Sequence, residues 1–151
     1  MSEYKKPGGK AGYDDWMTPV SIIRDLETEF GKLHDPCPVG WDQDLHGNGL
    51  YTEWPFNKYS FVNPPFSKLE NWVKKCHYEW ERGCGVLLLI PVRTDTKYFH
   101  NYIYWNAHLR FFKGRIKFRH PNTMKAGPAP FPCMLCIFPK IGDYVSQYDV
   151  N

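Results

Sequence analysis

Five consecutive apolar residues, Val86-Leu-Leu-Leu-Ile90, constrain the fold more than any other feature of the chain. As a strand they carry apolar side chains on both faces, so both faces must be covered. A central strand of a parallel sheet, with helices on either side, meets that requirement. The run is the longest of its kind here and falls far short of the roughly 20 apolar residues that cross a bilayer. No membrane helix is expected.

Around this strand, helical and extended patterns alternate. Thr18 followed by Pro19 has the form of a helix start, and Ile22, Ile23, Leu26 and Phe30 recur at helical spacing until Gly31, which predicts a helix over about 19–30. Ser67-Lys-Leu-Glu70 has the form of a capping box, and the stripe Leu69, Trp72, Val73, Cys76 and Trp80 predicts a second helix over about 68–81. A third, over about 96–106, follows from a cap at Asp95 or Thr96 and a face of Phe99, Tyr102, Ile103 and Asn106. Strands are expected at 32–35, 59–62, 85–90, 108–112, 115–119 and 133–138. Helix alternating with strand points to an α/β layer fold. Lys113-Gly114, between two extended segments, predicts a tight hairpin and hence antiparallel strands late in the sheet. The segment from Pro121 to Pro132, with Gly127, Pro128 and Pro130 between, is expected to be a surface loop.

With 151 residues, one domain is expected over 13–151, preceded by a flexible basic arm at 1–12 that holds Lys5, Lys6 and Lys10 among glycines and a proline. The arm has no apolar stretch that would make an export signal, so the expected location is the cytoplasm. Aromatic residues make up 17% of the chain, which predicts an aromatic-rich core. Cys37, Cys76, Cys84, Cys133 and Cys136, odd in number, are expected to be reduced and mostly buried. Cys133 and Cys136 have metal-knuckle spacing, but residues three apart on a strand face opposite sides, and no second pair follows; no metal is expected. A net charge of +3 permits a polyanionic partner without selecting one. Its distribution says more. Arg110, Lys113, Arg115, Lys117, Arg119 and Lys125 fall in one stretch free of Asp and Glu.

The chemistry is concentrated in Ser60-Phe-Val-Asn63-Pro64-Pro65-Phe66-Ser67, an apolar strand ending in an amide, two prolines and an aromatic ring. In open α/β sheets ligands sit outside the carboxyl ends of the strands, where Asn63 would lie. This segment is similar to the Asn/Asp-Pro-Pro-Tyr/Phe/Trp motif of amino-methyltransferases that use S-adenosylmethionine. An exocyclic amine is a poor nucleophile because its lone pair is delocalised into the ring. Hydrogen bonds accepted at the Asn63 side-chain oxygen and the Pro64 carbonyl would orient the amine and favour its pyramidal form. Phe66 can stack on a base rotated out of a duplex.

Four further segments occur in an order that resembles the phage-type DNA N6-adenine methyltransferase (Dam) family over about residues 13–138: Asp15-Trp16-Met-Thr18-Pro19, Leu33-His-Asp35-Pro36-Cys37, the stretch from Leu88 through Pro91 and Arg93 to Thr96, and Gly114-Arg115-Ile-Lys-Phe118. The resemblance implies a minimal Rossmann-like methyltransferase, a three-layer α/β/α fold with a mostly parallel central sheet and antiparallel C-terminal strands. It implies catalytic roles for Asn63, Pro64, Pro65 and Phe66. It also implies S-adenosylmethionine contacts from Trp16, Thr18, Pro19, Asp35, Pro36, Cys37 and Asn63. The implied partner is double-stranded DNA with its target base flipped out, and Arg93, Arg115, Lys117 and Arg119 are the candidate nucleic-acid contacts, with the arm lysines as flexible additions.

The chain departs from the pattern in places. The turn Asp35-Pro-Cys-Pro-Val-Gly40 has one glycine where two or more are common, and the ribose partner is open among Asp42, Asp44 and Glu53. There is no room for a separate target-recognition domain, so DNA reading would fall to loops, the arm or a second subunit, as in a homodimer. The same pocket type also serves cytosine N4, RNA guanine N2 and protein glutamine. A binding module that has lost its cofactor is the alternative of another class.

Overall fold

The computed structural model describes residues 16–38, 48–119 and 126–145. Two helices, α1 (Val20–Phe30) and α2 (Leu69–Glu81), accompany six strands: β1 (Ser60–Val62), β2 (Val86–Pro91), β3 (His108–Phe111), β4 (Lys117–Arg119), β5 (Ala126–Pro128) and β6 (Cys133–Phe138). Four strands form one sheet in the order β1-β2-β6-β3, and β4 and β5 form a separate two-stranded ribbon. His34 adds a parallel bridge to Ser60 on the outer side of β1.

β2 is central and buried along its whole length, as its composition requires. Val86, Leu88 and Ile90 pack with Trp72, Val73 and Cys76 of α2 and with Phe99 and Ile103, while Leu87 and Leu89 pack on the other face with Leu26 of α1 and with Phe118 of the ribbon. β6 repeats this alternation beside it.

The strand directions match the expectation in part: β1, β2 and β3 point the same way, and the last strand, β6, is antiparallel as expected, but it lies inside the sheet, between β2 and β3. The paired strands β1 and β2 are parallel; β2 with β6 and β3 with β6 are antiparallel. The chain is mixed α/β with a small mixed sheet. An apolar run demands cover on two faces but is silent about the direction of its neighbours, and β6 fills the place beside β2 with the opposite sense.

Several local expectations are corrected in the same way. Residues 32–35 contribute a single bridge at His34 rather than a strand. Lys113-Gly114 is no hairpin: Gly114, at φ +79°, turns the chain out of the four-stranded sheet and into the ribbon, where β4 pairs with β5. That pairing places a strand, Ala126–Pro128, inside the proline-rich segment read as loop, with Pro128 at its end, where a missing N–H costs least. α1 begins at Pro19 with no side-chain cap. A 3-10 turn, Phe66–Lys68, leads into α2, so Ser67 lies within that turn and the expected capping box does not start the helix. The third helix contracts to a π-helical segment, Phe99–Ile103, closed by the Tyr104 N–H on the Phe99 carbonyl at 2.8 Å. Thr96 caps it as expected, its Oγ1 accepting from the Phe99 N–H at 3.4 Å.

All five cysteines are free, and all but Cys37 are buried. Burial pushes the Cys133 thiol up to about 11 and that of Cys136 higher still. Among the described residues no helix is long and apolar enough to cross a membrane. The arm at 1–12, Gly40, Asp42, Asp44 and Lys125 lie outside the described residues.

Candidate active site

Because β1 and β2 run parallel, and the His34 bridge runs parallel to β1, three segments leave the sheet at one edge: Asp35-Pro36-Cys37, Asn63-Pro64-Pro65 and the stretch after Pro91. The candidate site lies there. Asn63 is half-buried. Its Nδ2 donates to Thr18 Oγ1 at 3.1 Å and, more weakly, to the Trp16 carbonyl at 3.4 Å. A carbonyl only accepts, so the amide nitrogen is the end that faces it. The other end, Oδ1, takes no hydrogen bond from a described residue. The amide thus has its donors engaged and its acceptor available.

Asn63 lines a narrow concavity, about 10 Å³ in volume, whose walls are Trp16, Phe66, Phe118 and Phe131, with Ala129 and Pro130. Phe131 meets Phe66 edge to face, ring centres 5.1 Å apart, which holds the Phe66 ring against rotation. Gly127 seats the indole of Trp16: a Cβ there would stand 3.2 Å from its Cη2. A wider groove of about 620 Å³ shares Phe66, Pro130 and Phe131 and extends past Leu69, Pro91 and Thr96 to Arg93 and Tyr98.

At the neighbouring segment, Asp35 Oδ1 accepts the Cys37 N–H at 2.9 Å, closing the turn through Pro36. Asp35 is exposed to solvent at its surface, yet partial burial of its carboxylate raises the pKa from its ordinary value, with the Cys37 N–H pulling the other way. A cation or hydroxyl donor placed there would relieve that cost. Gly49 packs straight onto the Pro36 backbone, where a Cβ would fall 2.1 Å from the carbonyl oxygen, and the Trp54 Nε1–H donates to the Gly49 carbonyl at 2.9 Å. A glycine from a later loop therefore supports a turn that has none of its own at this point.

The structure brings Trp16, Thr18, Asn63 and Phe66 together and sets Asp35, Pro36 and Cys37 on the same edge. Pro19 stands next to Thr18 at the start of α1. Pro64 is buried behind Asn63 and Pro65 precedes the 3-10 turn that carries Phe66. Arg93 lines the wide groove, whereas Arg115, Lys117 and Arg119 are exposed on or beside the ribbon. Arg110, counted in the basic stretch, is instead buried and makes a two-pronged pair with Glu29, 2.6 Å at each oxygen. Glu53 pairs with Arg82 at 3.5 Å, beyond the end of α2 and away from this edge. His34 is engaged through Nδ1 with Ser60 Oγ at 2.9 Å.

Phe118, Ala129, Pro130, Phe131 and Tyr98 were not among the expected site residues. Phe118 had a signal, since Arg115, Lys117 and Arg119 alternate with Ile116 and Phe118, and a strand that shows cations on one face must bury the other. Pro130 and Phe131 had none within a proline-rich run.

No solved structure matches this chain. Over 95 residues it is 30% identical to a DNA N-6-adenine-methyltransferase of Escherichia phage T1, an alignment that covers 57% of this chain and 39% of that protein's length. The model of one family, DNA N-6-adenine-methyltransferase (Dam), matches residues 8–146. With nearly its whole length matched, the chain belongs to the DNA N-6-adenine-methyltransferase (Dam) family.

Proposed function

We propose that this protein transfers a methyl group from S-adenosylmethionine to the N6 amine of adenine in double-stranded DNA, through a single Rossmann-like methyltransferase domain at 13–151 that follows a basic arm at 1–12. The observation that carries this reading is the state of Asn63, whose donors are tied to Thr18 and Trp16 while its acceptor is open beside an aromatic pocket. The shared family supports adenine over the other amines that such a pocket serves.

The amine of the flipped base donates one hydrogen to Asn63 Oδ1 and the other to the Pro64 carbonyl. This pair of acceptors draws the nitrogen out of conjugation and aims its lone pair. Phe66, braced by Phe131, stacks on the base in place of its lost neighbours. Water is kept from the reacting nitrogen by Trp16, Phe118 and Phe131. As the nitrogen bonds the methyl carbon, the carbon–sulfur bond of the cofactor would break to leave a neutral thioether, and one N–H proton would pass out of the pocket.

The donor set fits the cofactor. Asp35 offers a carboxylate, raised by burial and so ready for an ammonium or ribose hydroxyl; Cys37 and Pro36 shape the turn beside it, and Trp16, Thr18, Pro19 and Asn63 border the methyl-transfer end. The groove, with a volume of about 620 Å³, falls within the roughly 300–1000 Å³ of small-molecule sites. When bound, S-adenosylmethionine supplies an activated methyl group on sulfur, so the protein's part is mostly placement. Arg93, Arg115, Lys117 and Arg119 neutralise phosphates, which contributes affinity but no base information.

The test is incubation of unmodified genomic DNA with labelled cofactor, digestion to nucleosides and mass spectrometry. N6-methyladenine is expected, and its loss with Asn63→Ala. Methylated cytosine, or no DNA product, would overturn the assignment.

A further inference from the structure

We propose that Thr18 is a positioning residue for methyl transfer: together with the Trp16 carbonyl, its hydroxyl fixes which end of the Asn63 amide meets the target amine. This makes asparagine, not aspartate, the working residue at position 63. The inference rests on the functional reading above and adds a residue and a residue-type requirement to it.

An amide has a donor end and an acceptor end, and only the acceptor end can take hydrogens from an amine. If the Asn63 amide were reversed, Nδ2 would face the substrate amine, donor against donor, and Oδ1 would face the Trp16 carbonyl, acceptor against acceptor. The 3.4 Å approach of Nδ2 to that carbonyl selects the productive sense, and the 3.1 Å contact with Thr18 Oγ1 holds it. Thr18 alone would not select, because a hydroxyl both donates and accepts. The carbonyl alone is the longer contact.

Thr18 is well placed to hold its partner still. Immediately before it, Met17 exchanges two backbone hydrogen bonds with Arg119 of β4, at 2.8 and 3.1 Å, and immediately after it α1 begins. Its hydroxyl is also diverted from an ordinary task. A threonine before a proline at a helix start commonly caps the helix, yet α1 has no side-chain cap and the Thr18 oxygen is turned to Asn63 instead.

Aspartate at 63 would supply the same acceptor to an amine, but its second oxygen would lie against the Trp16 carbonyl. Thr18 could then satisfy it only by reversing its own hydrogen bond.

The test uses the full-length protein in single-turnover methyl transfer at saturating cofactor and DNA, with both affinities measured separately. Thr18→Val, which keeps the shape and removes the hydroxyl, is expected to slow transfer roughly 10- to 100-fold, a loss that saturating cofactor and DNA do not restore. Thr18→Ser should recover transfer to within about threefold of wild type. Asn63→Asp should lose about tenfold or more. In amide-detected NMR the Asn63 side-chain protons should exchange faster with solvent in Thr18→Val than in wild type. Thr18→Val at the wild-type rate, a defect confined to cofactor affinity, a Thr18→Ser as slow as Thr18→Val, or an Asn63→Asp at full rate would each overturn the proposal. A wild-type protein that methylates no DNA overturns the functional reading itself, which is a separate result. If Thr18→Val does not fold, Thr18→Ser and Asn63→Asp decide.

Discussion

Glu79 and Asn63 are polar side chains at opposite ends of the same molecule, and the fold uses them differently. Glu79, near the end of α2 and at the amino edge of the sheet, is wholly buried, and its carboxylate is taken up by Lys75 at 2.6 Å, by Arg82 and by the Cys84 thiol at 3.6 Å. Lys75 in turn donates to the Thr52 carbonyl at 2.8 Å. That edge is closed around its charge, as a buried carboxylate requires. At the carboxyl edge the fold satisfies only the donors of Asn63 and leaves its acceptor beside a cavity. A polar group consumed by its own protein serves stability; one held by half its valence is prepared for something else.

Substitution at each site should separate these roles. Asn63→Ala should lower DNA methylation by at least about 100-fold while the melting temperature moves by only a few degrees. Glu79→Ala should do the converse: it removes the shared partner of Lys75, Arg82 and the Cys84 thiol and leaves a buried gap, a loss read as a lower urea midpoint at unchanged slope, with the folded fraction still active. A stable, inactive Glu79→Ala would break the comparison.

Two arginines nine positions apart offer a milder version. Arg110→Ala removes the paired contact with Glu29 and should cost about 1–2 kcal/mol in stability, with no change in the salt dependence of DNA binding. Arg119→Ala and Lys117→Ala, both at exposed positions, should leave stability within about 0.5 kcal/mol and each reduce the slope of log affinity against log salt by about 1.

The smallest effect concerns pH. Burial, helped by Lys58 and opposed by Glu79, lowers the pKa of His34. On acidification the unfolded chain therefore takes up this proton before the folded one. Stability from His34 is present above the ordinary value of 6.5 and is lost as pH falls from there toward the folded value. Urea midpoints measured between about pH 8 and pH 5 should fall with pH, and less steeply in His34→Gln.

What was legible beforehand follows the range of the forces involved. Both helices, the buried central strand and the last strand could be read from apolar spacing, because burial writes a local period. The place of Asn63 at a strand's carboxyl end was equally local. The order of the strands was not, since β6 lies between β2 and β3 through contacts between residues far apart in sequence. Nor could composition tell Arg110 from Arg119: both stand in the same basic stretch, and only the position of Glu29 on α1 decides that one is buried and the other exposed. The fate of Thr18 was misread for a related reason. A local rule assigned it to the helix, and a partner 45 residues away claimed it.

β4 is three residues long, and its two sides have different duties: Phe118 forms part of the pocket wall, while Lys117 and Arg119 point away from it into solvent. The thickness of one strand separates the surface that would feel a phosphate from the surface that would feel a base. Through Met17 the same strand is stitched to the segment that grips the amide. Any tilt of this ribbon against a duplex would therefore be felt by the wall and the grip together, and under the proposed function the hold on DNA outside and the seating of a base inside would not be tuned independently.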